Sequence, residues 1–129
     1  MMLNLLDSHD TLRFFTEIGK DKKKLETAVA LTMFFPGTPC LYYGTEMAME
    51  GGYDPDCRRC FDWNQKNWDM DLLGKIKSLI ALKKKPVLQW GDVSIKEDNG
   101  AITITRSYKN EKAVLTIESP TVYTISFNA

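Results

Sequence analysis

His9 and Asp10 are adjacent, and an imidazole beside a carboxylate can hold two neighbouring hydroxyls of a sugar, one by accepting and one by donating a hydrogen bond. The plainer reading is that Asp7, Ser8 and Asp10 cap a turn, and spacing alone favours it. Cys57-x-x-Cys60 has half the spacing of a zinc site, yet no second such pair and no paired histidines accompany it, so loop packing is expected and no metal or cofactor is implied. Trp63 and Trp68 could stack on sugar rings, with apolar packing of their loop as the simpler role. The runs Lys22-Lys23-Lys24 and Lys83-Lys84-Lys85 read as solvated helix faces.

The elements around these residues follow from periodicity. Met2 to Leu6 is a short apolar run that stops at the turn formers Asp7 to Thr11, which predicts a buried strand delivering a polar loop from its C-terminal end. Between Lys22 and Phe35 the positions Leu25, Ala28, Val29, Leu31, Thr32 and Phe35 have helical spacing, and Pro36-Gly37 ends the helix. Thr38 to Tyr43 reads as a second buried strand, so the order strand, helix, strand is that of a parallel βαβ unit. Gly44 to about Met70 has no sustained period but is rich in Gly, Asp, Arg, Cys and Trp, the composition of an ordered functional loop. Helical spacing resumes from Leu72 to Lys85 through Leu73, Ile76, Leu79, Ile80 and Leu82.

After Pro86 the pattern turns to alternation. Five strands are predicted, at 87–90, 93–96, 101–108, 113–117 and 122–127, with Asp98-Asn99-Gly100 and Lys109-Asn110 as turns. The predicted fold class is therefore α/β plus all-β, with residues 1–85 forming one part and 86–129 a small antiparallel β domain. Two parallel strands alone leave their hydrogen-bonding edges open. A full eight-stranded (β/α) barrel takes about 250 residues, so the first part amounts to the last βα units of a TIM barrel.

Two segments carry a resemblance. Asn4-Leu5-Leu6-Asp7-Ser8-His9-Asp10-Thr11 resembles the alpha-amylase superfamily motif after the seventh barrel strand, and Gly37 to Glu46, GTPCLYYGTE, resembles the motif around the eighth. Met49 to Cys60, MEGGYDPDCRRC, is similar to the loop that marks the neopullulanase, cyclomaltodextrinase and maltogenic amylase branch. The resemblance implies a glycoside hydrolase acting on α-1,4-glucans, maltooligosaccharides and cyclodextrins. It also implies that His9 binds hydroxyls of the sugar at the cleavage site and that Asp10 grips the same ring and favours its oxocarbenium-like form. Asp54 and Arg58 match positions that contact the next sugar, a carboxylate and a guanidinium supplying fixed acceptors and donors. Glu46 matches a loop glutamate that either touches sugar or supports the loop, and Arg13 matches an arginine expected to be a structural ion-pair partner. No segment resembles the motifs that carry the nucleophile and the acid/base, which a retaining glycosidase holds about 5 Å apart. The chain is thus expected to be the C-terminal fragment of such an enzyme and inactive alone, with a non-catalytic carbohydrate-binding or self-associating module as the alternative.

Composition is neutral on partners. Seventeen basic residues balance seventeen acidic ones, so no field draws the chain to nucleic acid or an anionic membrane. No segment approaches the roughly 20 apolar residues of a membrane span. Three cysteines, an odd number, fit a reducing, cytoplasmic compartment better than a disulfide framework.

Overall fold

A computed structural model describes residues 2–128. Strand β1 (Leu3–Leu5) pairs in parallel with β2 (Thr38–Cys40), Leu3 lying opposite Thr38 and Leu5 opposite Cys40. Two helices connect them, α1 (Phe14–Glu17) and α2 (Lys22–Phe34). The Asp21 carboxylate caps α2 by accepting the N–H groups of Lys23 and Lys24. The helix stops because Phe35 precedes a proline and is pushed into extended backbone. Gly37 then turns the chain at φ +111°, where a Cβ would sit 2.6 Å from the Met2 carbonyl, so only glycine fits.

The strands are not buried as the apolar runs predict. Leu3 and Leu5 are 62% and 47% exposed, and Thr38 and Cys40 are also exposed. Leu3 and Leu5 share one face of this small sheet, and that face is largely uncovered, so apolar side chains made for a covered sheet meet solvent.

The second long helix, α3 (Met70–Lys83), is capped by Asp69, which accepts the Leu72 N–H and pairs with Lys22. Lys22 opens α2 and Asp69 opens α3, while Lys83 near the end of α3 donates to Phe35 at the end of α2 (3.0 Å), so the helices run side by side in one direction. A short helix α4 (Pro86–Trp90) and four strands follow: β3 (Asp92–Asp98), β4 (Ala101–Tyr108), β5 (Glu111–Ser119) and β6 (Val122–Asn128). They form an antiparallel meander in sequence order. The first hairpin uses Asn99 and Gly100, both at positive φ, as the asparagine-glycine pair predicts.

One predicted strand is absent. Residues 87–90 are helical, because Pro86 supplies the first helical residue with its φ already set and Val87 and Leu88, neighbours in sequence, are both fully buried. Strand alternation would have exposed one of them.

The core runs through both parts of the chain. Leu25, Val29 and Phe34 of α2, Ile76 and Leu79 of α3, Val87 and Leu88 of α4, and Ile104, Ala113 and Leu115 of the meander belong to one buried cluster. Arg106 lies in it, fully buried, its guanidinium donating to Phe34 O (2.8 Å) and twice to Gly91 O (3.1 and 2.7 Å). Tyr123 adds a second tie, its hydroxyl donating to Glu26 of α2 (2.7 Å). Among the described residues no helix is long and apolar enough to cross a membrane.

Candidate functional site

Parallel pairing sends the segments that follow β1 and β2 out at the same end, the C-terminal end of the strands. The first segment carries His9 and Asp10. The second, from Leu41 to Asp69, carries Glu46, Asp54 and Arg58 and is built on three short 3-10 turns, Thr45–Met47, Asp56–Arg58 and Gln65–Asn67.

The two segments are pinned to each other before any ligand arrives. Asp7 is buried and accepts the Phe14 N–H (3.0 Å) and the Thr45 hydroxyl (2.8 Å), tying β1's exit to β2's exit, while in the turn itself Ser8 Oγ accepts the Asp10 N–H (3.2 Å). Arg13 is also fully buried. It donates through Nε to Cys57 O (2.8 Å) and through Nη1 to Tyr43 O, and its guanidinium lies 4.1 and 4.5 Å from the ring centroids of Tyr42 and Tyr43. The expected ion pair of Arg13 is therefore corrected: among the described residues it meets no carboxylate, and carbonyls and aromatic faces hold it instead. Gly51 completes the junction, its carbonyl accepting the Arg13 N–H (3.0 Å) and its own N–H donating to the Thr16 hydroxyl (2.9 Å). A Cβ there would lie 2.8 Å from Asp56 O and 2.9 Å from Cys57 Cα.

On this base four of the five candidate site residues converge. His9 Nε2 lies 3.2 Å from Asp10 Oδ2, Arg58 Nη2 lies 3.7 Å from Asp10 Oδ1, and Arg58 Nε lies 2.8 Å from Asp54 Oδ1. Arg58 also donates to the His9 carbonyl (3.2 Å), as does the Cys57 thiol (3.2 Å). The side chains stay open to solvent, at 63% for His9, 71% for Asp10, 50% for Asp54 and 47% for Arg58. Glu46 is half-buried on the turn after β2 and has no ion pair or hydrogen bond with the other four among the described residues.

Sequence reasoning passed over several supporting contacts. Tyr43 donates its hydroxyl to Arg59 O (2.7 Å), and Arg59 grips Asp56 in a two-pronged pair (2.8 Å each). That guanidinium, followed by the Gly52 N–H, holds the Asp56 carboxyl at about 2, below the usual carboxylate range. An acidic residue three before an arginine in a 3-10 turn is a readable signal for such a staple. Trp68 packs with its ring centroid 5.9 Å from that of Phe61 and its indole N–H on Asp62 O (2.7 Å), and Trp63, though 79% exposed, lies tilted against Phe61 with ring centroids 4.7 Å apart. Cys40, Cys57 and Cys60 are free thiols, and among the described residues no cluster of three metal-ligating side chains occurs.

Chemically, the rim offers acceptors at Asp10 and Asp54, donors at Arg58 and both functions at His9, a set that matches a polyhydroxyl ligand. Residues 1–78 match the family described as Alpha amylase, catalytic domain. A cyclomaltodextrinase from Bacillus sp is 44% identical over 84 residues, which are 65% of this chain and 15% of that protein. A maltogenic alpha-amylase from Bacillus acidopullulyticus is 35% identical over 136 residues, covering 98% of this chain and 23% of the relative. Among solved structures, the ligand-free cyclic alpha-maltosyl-(1-->6)-maltose hydrolase from Arthrobacter globiformis superposes with a TM-score of 0.85 at 34% identity, over 90% of this chain and 27% of that one.

The parallel pair and the meander behind it are thus those of an alpha-amylase-type barrel enzyme, and the chain belongs to the alpha-amylase family of glycoside hydrolases. Its relatives place it with the cyclomaltodextrinases and maltogenic amylases, and it spans about a quarter or less of their length.

Proposed function

We propose that this chain supplies the sugar-gripping wall of a retaining α-glucan hydrolase and leaves nucleophile and acid/base to segments outside residues 1–129. The observation that carries the reading is the convergence of His9, Asp10, Asp54 and Arg58 on one open rim at the C-terminal end of a parallel strand pair. Exposed ion pairs of this kind contribute little to stability, so a set of them held in register by buried Asp7 and Arg13 is better accounted for by a ligand. Asp10 and His9 take the ring at the cleavage point. Both strengthen their hold as the ring flattens toward an oxocarbenium ion, which is where binding accelerates reaction. Arg58 and Asp54 take the adjoining sugar, and Glu46, whose carboxylate has no ion pair among the described residues, is a further contact on the segment after β2. Maltooligosaccharides and cyclodextrins are the substrate class, and the three free thiols fit a cytoplasmic setting.

Calorimetric titration of the chain with maltoheptaose tests this. Saturable heat that Asp10→Asn weakens about tenfold, in line with the loss of one charged hydrogen bond, is the expected result. No saturable heat, or equal affinity in the variant, would remove the reading. A second property, self-association, is favoured by the exposed Leu3 and Leu5 and the two open edges of the parallel sheet.

A further inference from the structure

We propose that Tyr53 is a further sugar-binding residue, an aromatic platform beside Asp54 and Arg58 that stacks on the apolar face of the sugar those two residues hold. The inference rests on the reading of the rim as a glucan site, and it assigns a contact of a different kind from those already placed there.

Polar groups open to water hold a sugar weakly. His9, Asp10, Asp54 and Arg58 are all exposed, and each bond to a sugar hydroxyl replaces a bond to water, so the net gain per bond is small. A pyranose ring also presents an apolar side made of C–H groups, for which these four offer no surface. An aromatic ring supplies one, at the cost of only two side-chain torsions.

Of the aromatic residues on the segment after β2, most are already engaged. Tyr42 and Tyr43 lie against the Arg13 guanidinium, and the Tyr43 hydroxyl bonds Arg59 O. Phe61, Trp63 and Trp68 pack on one another beyond Arg59. Tyr53 is the exception. It is 75% exposed, and among the described residues its side chain has no hydrogen bond, no ring partner and no cation over its face.

The backbone under Tyr53 is fixed on both sides. Gly52 N–H donates to Asp56 Oδ2 (2.7 Å), the Tyr53 carbonyl accepts the Asp56 N–H (2.8 Å), and Arg59 holds Asp56 in place. The turn uses only the carbonyl of its first residue, so neither turn geometry nor packing calls for a tyrosine there. Tyr53 and Asp54 are joined by a trans peptide, which sets their Cα atoms about 3.8 Å apart. The ring can therefore reach a sugar gripped by Asp54 and Arg58, and the cost of ordering its backbone is met before the ligand arrives.

The test is calorimetric titration of the whole chain with maltoheptaose, comparing the unaltered chain with Tyr53→Ala, Tyr53→Phe and Asp10→Asn. Tyr53→Ala is expected to weaken binding roughly five- to tenfold, at an unchanged unfolding midpoint because the ring packs against nothing. Tyr53→Phe should stay within about twofold of the unaltered chain, since the ring and not the hydroxyl makes the contact. Full affinity in Tyr53→Ala beside a weakened Asp10→Asn would overturn the platform and leave the rim reading standing. No saturable heat with the unaltered chain would remove both. Equal losses in Tyr53→Ala and Tyr53→Phe would overturn stacking. Sedimentation velocity checks the competing occupant: weaker self-association of Tyr53→Ala at unchanged sugar affinity would assign the ring to a second copy of the chain and overturn the proposal.

Discussion

At the scale of single residues, exposure separates what binds from what holds. Asp10 is 71% exposed and bonds nothing buried, so Asp10→Asn should leave thermal stability within about 0.5 kcal/mol of the parent, as surface substitutions do. The same change should cut glucan affinity, and a matched loss of stability and affinity would place Asp10 among the structural residues. Arg13 should behave in the opposite way. Replacing it by methionine strips two buried carbonyls and two ring faces of their partner and is expected to cost about 2–4 kcal/mol in urea unfolding. Spacing alone favours a capped turn at His9-Asp10, and it is the resemblance of their segments to the alpha-amylase motifs that marks His9, Asp10, Asp54 and Arg58 in the sequence. The roles of Asp7 and Arg13 were not legible there, since each depends on partners such as Thr45 and Cys57, some 40 positions away, that only the parallel pairing brings within reach.

Among the elements, α3 depends most visibly on its cap. Asp69 accepts the Leu72 N–H and then pairs with Lys22, and both hold its carboxyl below the ordinary carboxylate range. A folded-state value below the unfolded one contributes stability above about pH 4, the unfolded value. That contribution is lost as pH falls through the lower, folded value. Asp69→Ala should therefore lose about 1 kcal/mol at pH 7 and progressively less in acid, measured by denaturant midpoints across pH. Equal losses at all pH values would mean that the charged form of Asp69 is not what stabilises the helix. Helices α2 and α3 and the meander's hairpins could be read from period and turn residues, because local propensity and packing agree there. Residues 87–90 could not, since Val-Leu-Gln-Trp alternates no more clearly than it winds and the deciding term is the burial of Val87 and Leu88 together.

For the whole molecule, the sheet and the βα units are joined by a single core and by Arg106. The fork of Arg106 reaches Phe34 and Gly91 at once, which a lysine cannot do, so Arg106→Lys is expected to lose about 2–3 kcal/mol and to lower the unfolding midpoint of both parts together. Separate transitions would show that the shared core does not couple them. Exposure of β1 and β2 was unreadable from an apolar run, because a run announces what a strand needs and not what covers it. The most direct test of the central claim is a ¹H–¹⁵N NMR titration with maltoheptaose that also follows the sugar's anomeric signals. Saturable shifts confined to residues around 8–11 and 54–59, with the sugar intact after prolonged incubation, are the expected result. Shifts centred elsewhere, or the appearance of shorter sugars, would contradict a wall that grips without cleaving.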